Sequence, residues 1–418
     1  MDRLLLRRGG TLLLSNTLGQ GLGFLTAIAI ARLLGVSAFG QYTAIMALVF
    51  VCGIVADAGL EVTLTREAAA TPARSRALLA GGLQAKALAG GPIALLLAWP
   101  PVATFLAPAP AAIPAIQLAG LLVLLNTWNA ALAALFRAWG RMDYILGLNS
   151  AGLGVQLAGT VALLIQRPNL VLLVGWLILV QVGELAAGLI LFRRGLRGLA
   201  PATSPGPAGA ALDTGARALL RRSWSFMLIG LLGALAGRVD LFLIAGLAGP
   251  AAVGVYSVAT RLHELLGLAP NSFFAALLPA LAAAQAVDAA AAAALYRQAR
   301  RRLALAGGIA AAGGLGLAGL LVQLSFGPAY AAAVPALQLL ALLLIPLLIN
   351  RTTTLYLYAT GRERHANYVL ALNLLLRAIL GGPLVLIWGP PGAALANLVA
   401  EGAVLGVYWA SGAMRGAA

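Results

Sequence analysis

The chain is predicted to be an all-α membrane protein: twelve transmembrane helices in two parallel six-helix lobes around a central cavity. Three observations carry that prediction. First, of 418 residues 61% are hydrophobic and only 10% charged, with a mean hydropathy of +0.95. A soluble globular domain carries about a quarter of its residues as charges, and apolar runs of about 20 residues, the length of a membrane span, recur from end to end. Second, the net charge of +16 comes from arginines in short clusters between the apolar runs. That is the positive-inside pattern, and it excludes a nucleic-acid reading. Third, the two halves repeat each other. Ala31, Gly35, Gly40 and Tyr42 return as Ala245, Gly249, Gly254 and Tyr256, at one constant shift of 214 residues.

Taken in order, the spans are read at 11–31, 41–64, 78–98, 113–136, 144–165, 170–192, 224–246, 251–279, 303–324, 333–358, 366–387 and 391–411. Gly and Pro punctuate them at Gly35, Pro100-Pro101, Pro168, Gly249-Pro250, Gly327-Pro328 and Gly389-Pro390-Pro391. The start is basic, but the apolar run behind it is span-length and has no small-residue cleavage site, so it is read as a retained first span. Alternating the loops puts the clusters at Arg3–Arg8, Arg66–Lys86, Arg137–Arg141, Arg193–Arg222, Arg297–Arg302, Arg362–Arg364 and Arg415 on one side, with only Arg32 and Arg167 opposite. Both termini are therefore expected in the cytoplasm, with the chain multi-pass in a bacterial inner membrane. Residues 193–222 are basic at both ends with P-A-T-S-P-G-P between, and form the linker. It separates an N-lobe, 1–192, from a C-lobe, 223–418. The Ala-rich stretch Ala282–Arg302 is expected to lie along the cytoplasmic surface before span nine. Cys52 is alone, so no disulfide framework or metal spacing exists.

The repeat extends through the halves. Pro114, Gln117, Asn129 and Ala138-x-Gly140-Arg141 match Pro335, Gln338, Asn350 and Ala359-x-Gly361-Arg362 at a shift of 221, and Tyr144 and Asn149 match Tyr368 and Asn373 at 224. With an even number of spans, each half enters the membrane from the same side. The repeats are thus parallel, as in secondary transporters, whose sites lie at the repeat interface.

Charges inside apolar runs mark the candidate site, because a charge at bilayer depth costs about 2.5–3.5 kcal/mol on insertion scales. Arg261 falls about 15 Å into span eight, near the midplane. Arg238 lies at comparable depth in span seven, and two guanidiniums there suit a diphosphate. Each also has a structural alternative: Arg261 with Glu264, Arg238 with Asp240. Asp57 and Glu61, spaced i,i+4, are read as sharing one helix face able to bind Na⁺ or exchange a proton, with Glu264 a further ion-coupling candidate. Arg351, Asn129 and Asn350 complete the candidate substrate contacts. Asn126, Asn129 and Asn350 equally suit helix–helix hydrogen bonding. His263 is expected to bond between helices, and Arg377 and Glu401 to form a structural ion pair. Glu184 is placed seven to nine residues from a span end, where its side chain can reach the interface. No P-loop, H-E-x-x-H or Cys/His cluster is present, so no cofactor or catalytic metal is expected and the chain is not read as an enzyme.

The block T-L-L-L-S-N-T-L-G-Q-G-L-G-F-L-T-A-I-A-I-A-R-L-L-G-V-S-A-F-G-Q-Y, followed by D-A-G-L-E-V-T-L-T-R-E-A, resembles bacterial polysaccharide-repeat-unit flippases, the Wzx-type branch of the MOP superfamily. The stretch R-V-D-L-F-L-I-A through S-V-A-T-R-L and the stretch F-G-P-A-Y-A-A-A-V-P-A-L-Q-L-L are similar to the same family, so the resemblance covers nearly the whole chain. It implies a MATE-like two-lobed transporter that carries undecaprenyl-diphosphate-linked oligosaccharide to the outer leaflet by alternating access, for O-antigen, lipopolysaccharide or exopolysaccharide assembly. Arg261, in the A-T-R-L stretch, is the position it makes substrate-facing. Expected partners are the lipid-linked glycan, H⁺ or Na⁺, and a glycan polymerase or glycosyltransferase, with no nucleic acid. Peptidoglycan-precursor flippases have fourteen spans, which sets this chain apart from that branch. A multidrug or organic-cation antiporter of the same superfamily, a membrane glycan polymerase or ligase, and a scaffold for glycan assembly are the competing functions. The deep arginines disfavour the first, and the short outer loops disfavour the second.

Overall fold

The structure, a computed structural model, describes residues 19–107, 109–198 and 213–412. The first part of span one, the Pro-rich centre of the linker and Arg415 lie outside the described residues. Among those described the regular structure is helical throughout. Helix α1 covers Gly19–Leu34. Then follow α2 (Val36–Asp57), α3 (Leu60–Ala70), α4 (Ser75–Ala98), α5 (Pro100–Leu106), α6 (Ile113–Ala138), α7 (Met142–Gln166) and α8 (Leu170–Gly198). After the linker come α9 (Ala216–Ala236), α10 (Val239–Leu247), α11 (Gly249–Leu266), α12 (Leu268–Val287), α13 (Ala289–Ser325), α14 (Val334–Ala359), α15 (Glu363–Trp388) and α16 (Pro390–Ala410).

Nine of the described helices are long and apolar enough to cross a membrane. The other three predicted spans are represented by shorter pieces. Span one enters the described chain at Gly19; span seven is divided into α9 and α10 at Gly237–Arg238, and span eight into α11 and α12 at Gly267. Span two is also interrupted, at Ala58 (φ 51°) and Gly59 (φ 73°), both left-handed. A side chain at Gly59 would also meet the Ser223 carbonyl and Phe226, so α9 packs directly on this break. The expected surface helix over 282–302 is corrected: Asp288 ends α12 and caps α13, its carboxylate accepting from Ala290 N–H at 3.1 Å. From there α13 runs 37 residues without a break, about 55 Å, joining that stretch to span nine.

The chain divides into two compact units. Met1–Leu34 and Gln41–Arg238 form the first, Gly35–Gly40 and Val239–Ala418 the second. In the first, α6 is the axis, packed by α3, α4 and α8, with Ile116, Ala119, Val123, Ala131 and Leu135 at its buried face. In the second, α14 holds the corresponding place, packed by α13, α16 and α11. Outward faces are apolar: Leu95 is 74% exposed, Ile309 76% and Leu386 67%. Such surfaces are stable in hydrocarbon, and the chain is a multi-pass membrane protein.

The sequence repeat has a physical counterpart in each unit. Gln117 donates to the Ala98 carbonyl and Gln338 to the Leu315 carbonyl, both at 3.2 Å. Gly140 (φ 67°) and Gly361 (φ 72°) end α6 and α14 with the same six-to-one closure, Arg141 N–H to Phe136 and Arg362 N–H to Leu357. Within the second unit the first turns of α2 and α11 cross glycine on glycine. A side chain at Gly40 would strike the Pro250 carbonyl, and one at Gly254 the Val36 carbonyl.

Candidate functional site

In the first unit the polar groups gather around the break in α2. Asp57 is the last residue of α2 and Glu61 the second of α3, so the two do not share one continuous helix as their spacing predicts. The break instead turns Asp57 Oδ2 toward the Glu61 N–H, at 3.3 Å. Both acids are also held by cations from other helices. Lys86 on α4, whose side chain is fully buried, pairs with Asp57, and Arg137 on α6 pairs with Glu61. A buried ammonium without a counter-charge is costly, so this pair binds α4 to α2. Asp57 and Glu61, with Asn126, Thr127 and Phe226, line a cavity of about 430 Å³. Asn126 accepts from Gln181, and Asn129 donates to the Gln181 side chain at 2.7 Å and its carbonyl at 3.1 Å. Arg238, at the α9–α10 break, lies 5.3 Å from the centre of the Phe50 ring.

In the second unit Asn350 makes the same bonds as Asn129. It donates to the Glu401 side chain at 2.7 Å and the Glu401 carbonyl at 2.9 Å. Glu401 thus stands where the first unit has Gln181, and its extra charge is met by Arg377 at 2.9 Å, the ion pair read from the sequence. Both asparagines join helices; Asn350 is 4% exposed. Asp240 accepts from Tyr256 and from Asn397 at 3.1 Å, and from its neighbour Leu241 N–H at 2.8 Å. His263 Nδ1 is buried without a hydrogen-bond partner among the described residues.

Arg261 differs from these locked groups. It lies twelve residues into α11, about 18 Å along the axis. The α11 face from Val253 to Ala259 is buried, yet the Arg261 and Glu264 side chains are 43% and 49% exposed and pair at 3.1 Å. An ion pair this open is worth at most about 1 kcal/mol, so the guanidinium is easily released to another anion. Arg351 on α14 is also exposed, its guanidinium 5.4 Å from the centre of the Phe274 ring.

Sequence reasoning missed Lys86, Arg137, Gln181 and Asn397, the partners that hold these groups. Lys86 carries the clearest signal: it is the chain's one lysine, set in a run of Ala, Gly and Leu.

Solved structures of MOP superfamily transporters and of a lipid II flippase are among those that share the fold. A multidrug resistance MATE family transporter of the MOP superfamily, inward-facing, is 14% identical, with 95% of this chain and 94% of that one covered at a TM-score of 0.73. The lipid II flippase MurJ in an inward closed conformation is 14% identical over 95% and 86% of the two chains, at 0.69. A MOP superfamily transporter from Pyrococcus furiosus, described as having a binding pocket of reversed polarity, is 15% identical over 99% and 95%, at 0.63. A search of curated proteins found no match. The family of polysaccharide biosynthesis proteins matches residues 5–285, more than half of the 418. With this match and a MOP-type helical fold, the chain belongs to the polysaccharide biosynthesis protein family.

Proposed function

We propose that the protein is a flippase that moves undecaprenyl-diphosphate-linked oligosaccharide across a bacterial inner membrane by alternating access, supplying surface polysaccharide assembly. The observation that carries this reading is the pair of exposed charges deep in α11. Lipid disfavours charge there, so Arg261 and Glu264 are read as facing a water-filled path. Arg261 is assigned to the diphosphate, which exchanges with Glu264 for its guanidinium. Arg238 and Arg351 are assigned as further cationic contacts, where bidentate pairing and delocalised charge favour arginine. Asn350 ties α14, the helix that carries Arg351, to α16, and Asn129 ties α6 to α8 in the first unit. Of the ion-coupling candidates, Asp57 and Glu61 serve as latches on Lys86 and Arg137, and Glu264 as the competitor of the substrate. The arginine clusters place both termini and the linker, read as the boundary between the lobes, in the cytoplasm. A glycan polymerase or glycosyltransferase is the expected partner at the membrane.

Translocation needs no bond to the substrate to form or break. What the chain supplies is a charged waypoint for a diphosphate that lipid excludes. Binding tests this directly. Purified protein in detergent should be stabilised against heat by the undecaprenyl-diphosphate-linked glycan, less by the monophosphate lipid, and not by neutral undecaprenol. Equal stabilisation by undecaprenol would refute a diphosphate site.

A further inference from the structure

We propose that Glu184 is a proton-binding site, connected through a chain of amide side chains to the cavity of the first unit, and that it ties transport to a proton gradient. Glu184 is the central residue of α8, fourteen residues from either end, about 21 Å each way. The last turns of α8 carry Arg193, Arg194 and Arg197, so Glu184 lies nine residues before the first of them, the distance from the span end that the sequence reading gives. Five other carboxylates lie well within the spans or at their breaks, and each is met by a cation or a strong donor: Asp57 by Lys86, Glu61 by Arg137, Asp240 by Tyr256, Glu264 by Arg261 and Glu401 by Arg377. Among the described residues Glu184 alone of these mid-span acids has neither an ion pair nor a hydrogen bond to its carboxyl.

Its surroundings are shaped to receive it. The carboxyl lies against α7 where residue 152 is glycine, and a side chain there would collide with Glu184 Oε1. To one side is an apolar cleft of about 260 Å³ walled by Leu148, Val155, Trp176 and Leu179. To the other is a small cavity of about 40 Å³ that Glu184 shares with Asn129 and Asn149. That space admits about one water with three polar neighbours. The groups facing Glu184 are therefore Asn129 from α6 and Asn149 from α7, with Gln181 one turn before it on α8, and none is charged. From Asn129 the hydrogen bonds run to Gln181 and on to Asn126, which lines the 430 Å³ cavity beside Asp57.

An ionised carboxylate in such a place, with no counter-charge, is disfavoured against its neutral form. Binding one proton removes the charge, and only an O–H bond forms. When water reaches the small cavity, the proton returns to it and the charge reappears. The amides carry no proton. They transmit the change: a carboxyl that gains or loses its charge alters the field on Asn129 and Asn149 across the small cavity they share, and through Asn129 the bonds to Gln181 and Asn126. The step that the proton drives rests on the flippase reading; the proton site itself does not.

The test has two arms. Infrared titration of the purified full-length protein in phosphatidylethanolamine–phosphatidylglycerol vesicles, with no glycolipid present, reads carboxylic-acid C=O bands. A titrating band should be present in the native protein, lost in Glu184→Gln and kept in Asp57→Asn. In the same vesicles, movement of undecaprenyl-diphosphate-linked glycan is followed with and without an imposed pH gradient. Glu184→Gln should lose the part of the rate that depends on the gradient and keep the rest. An unchanged band in Glu184→Gln, or an unchanged response to the gradient, overturns the proposal. A native protein whose band titrates but which moves no glycolipid refutes the flippase reading and supports the proton site.

Discussion

The two asparagine clasps lead to a quantitative prediction, because nature has made the same joint once with a neutral partner and once with a charged one. In the first unit Asn129 holds Gln181; in the second Asn350 holds Glu401, with Arg377 added at 2.9 Å. The Glu401 and Arg377 side chains are only 9% and 19% exposed. Arg377→Met leaves a carboxylate buried without its cation, and breaking a buried pair in this way costs about 3–5 kcal/mol. Glu401→Gln alone leaves the guanidinium unmatched, with a smaller loss because it is the more exposed partner. The double variant rebuilds the neutral clasp of the first unit and should return to within about 1 kcal/mol of the native protein, since a buried pair and its neutral replacement are often nearly equal in stability. Denaturant unfolding in detergent, followed by tryptophan fluorescence, reads all four proteins. Additive losses in the double variant would refute the reasoning.

Other outcomes follow from the same geometry. Lys86→Met should destabilise by about 3–5 kcal/mol, and adding Asp57→Asn should restore most of it, measured by the same unfolding. Gly40→Val and Gly254→Val each drive a side chain into a backbone carbonyl. Overpacking of this kind costs about 1–3 kcal/mol, and both should lower the yield of monodisperse protein on size exclusion. Gly59→Ala combines a left-handed backbone with a collision at Ser223, so a loss of at least about 1–2 kcal/mol is expected in thermal melting.

The repeat was legible in the sequence because the residues that carry it make local, directional bonds. Gln117 and Gln338, Asn129 and Asn350, Gly140 and Gly361 each do the same thing twice, so they stand out against interchangeable Ala and Leu. The helix breaks were not legible. Ala58-Gly59 and Gly237-Arg238 sit inside apolar runs whose hydropathy reads through them, and the conformation there is set by what packs on it, such as α9 on Gly59. The face-sharing of Asp57 and Glu61 failed for this reason: i,i+4 neighbours meet only on an unbroken helix. Ion-pair partners were hidden by distance along the chain, with 29 residues between Asp57 and Lys86 and 76 between Glu61 and Arg137. Arg377 and Glu401, 24 apart on consecutive antiparallel spans, could be matched by depth alone.

The central claim is that Arg261 guides a lipid-linked diphosphate glycan across the membrane. It is tested most directly in cells that lack their own repeat-unit flippase but make the matching glycan, by measuring surface polysaccharide against lipid-linked glycan trapped inside. The native protein should restore the surface polymer. Arg261→Ala, present at equal level in the membrane, should leave the intermediate trapped. Equal export by both would contradict the role given to Arg261, and no export by the native protein would contradict the function.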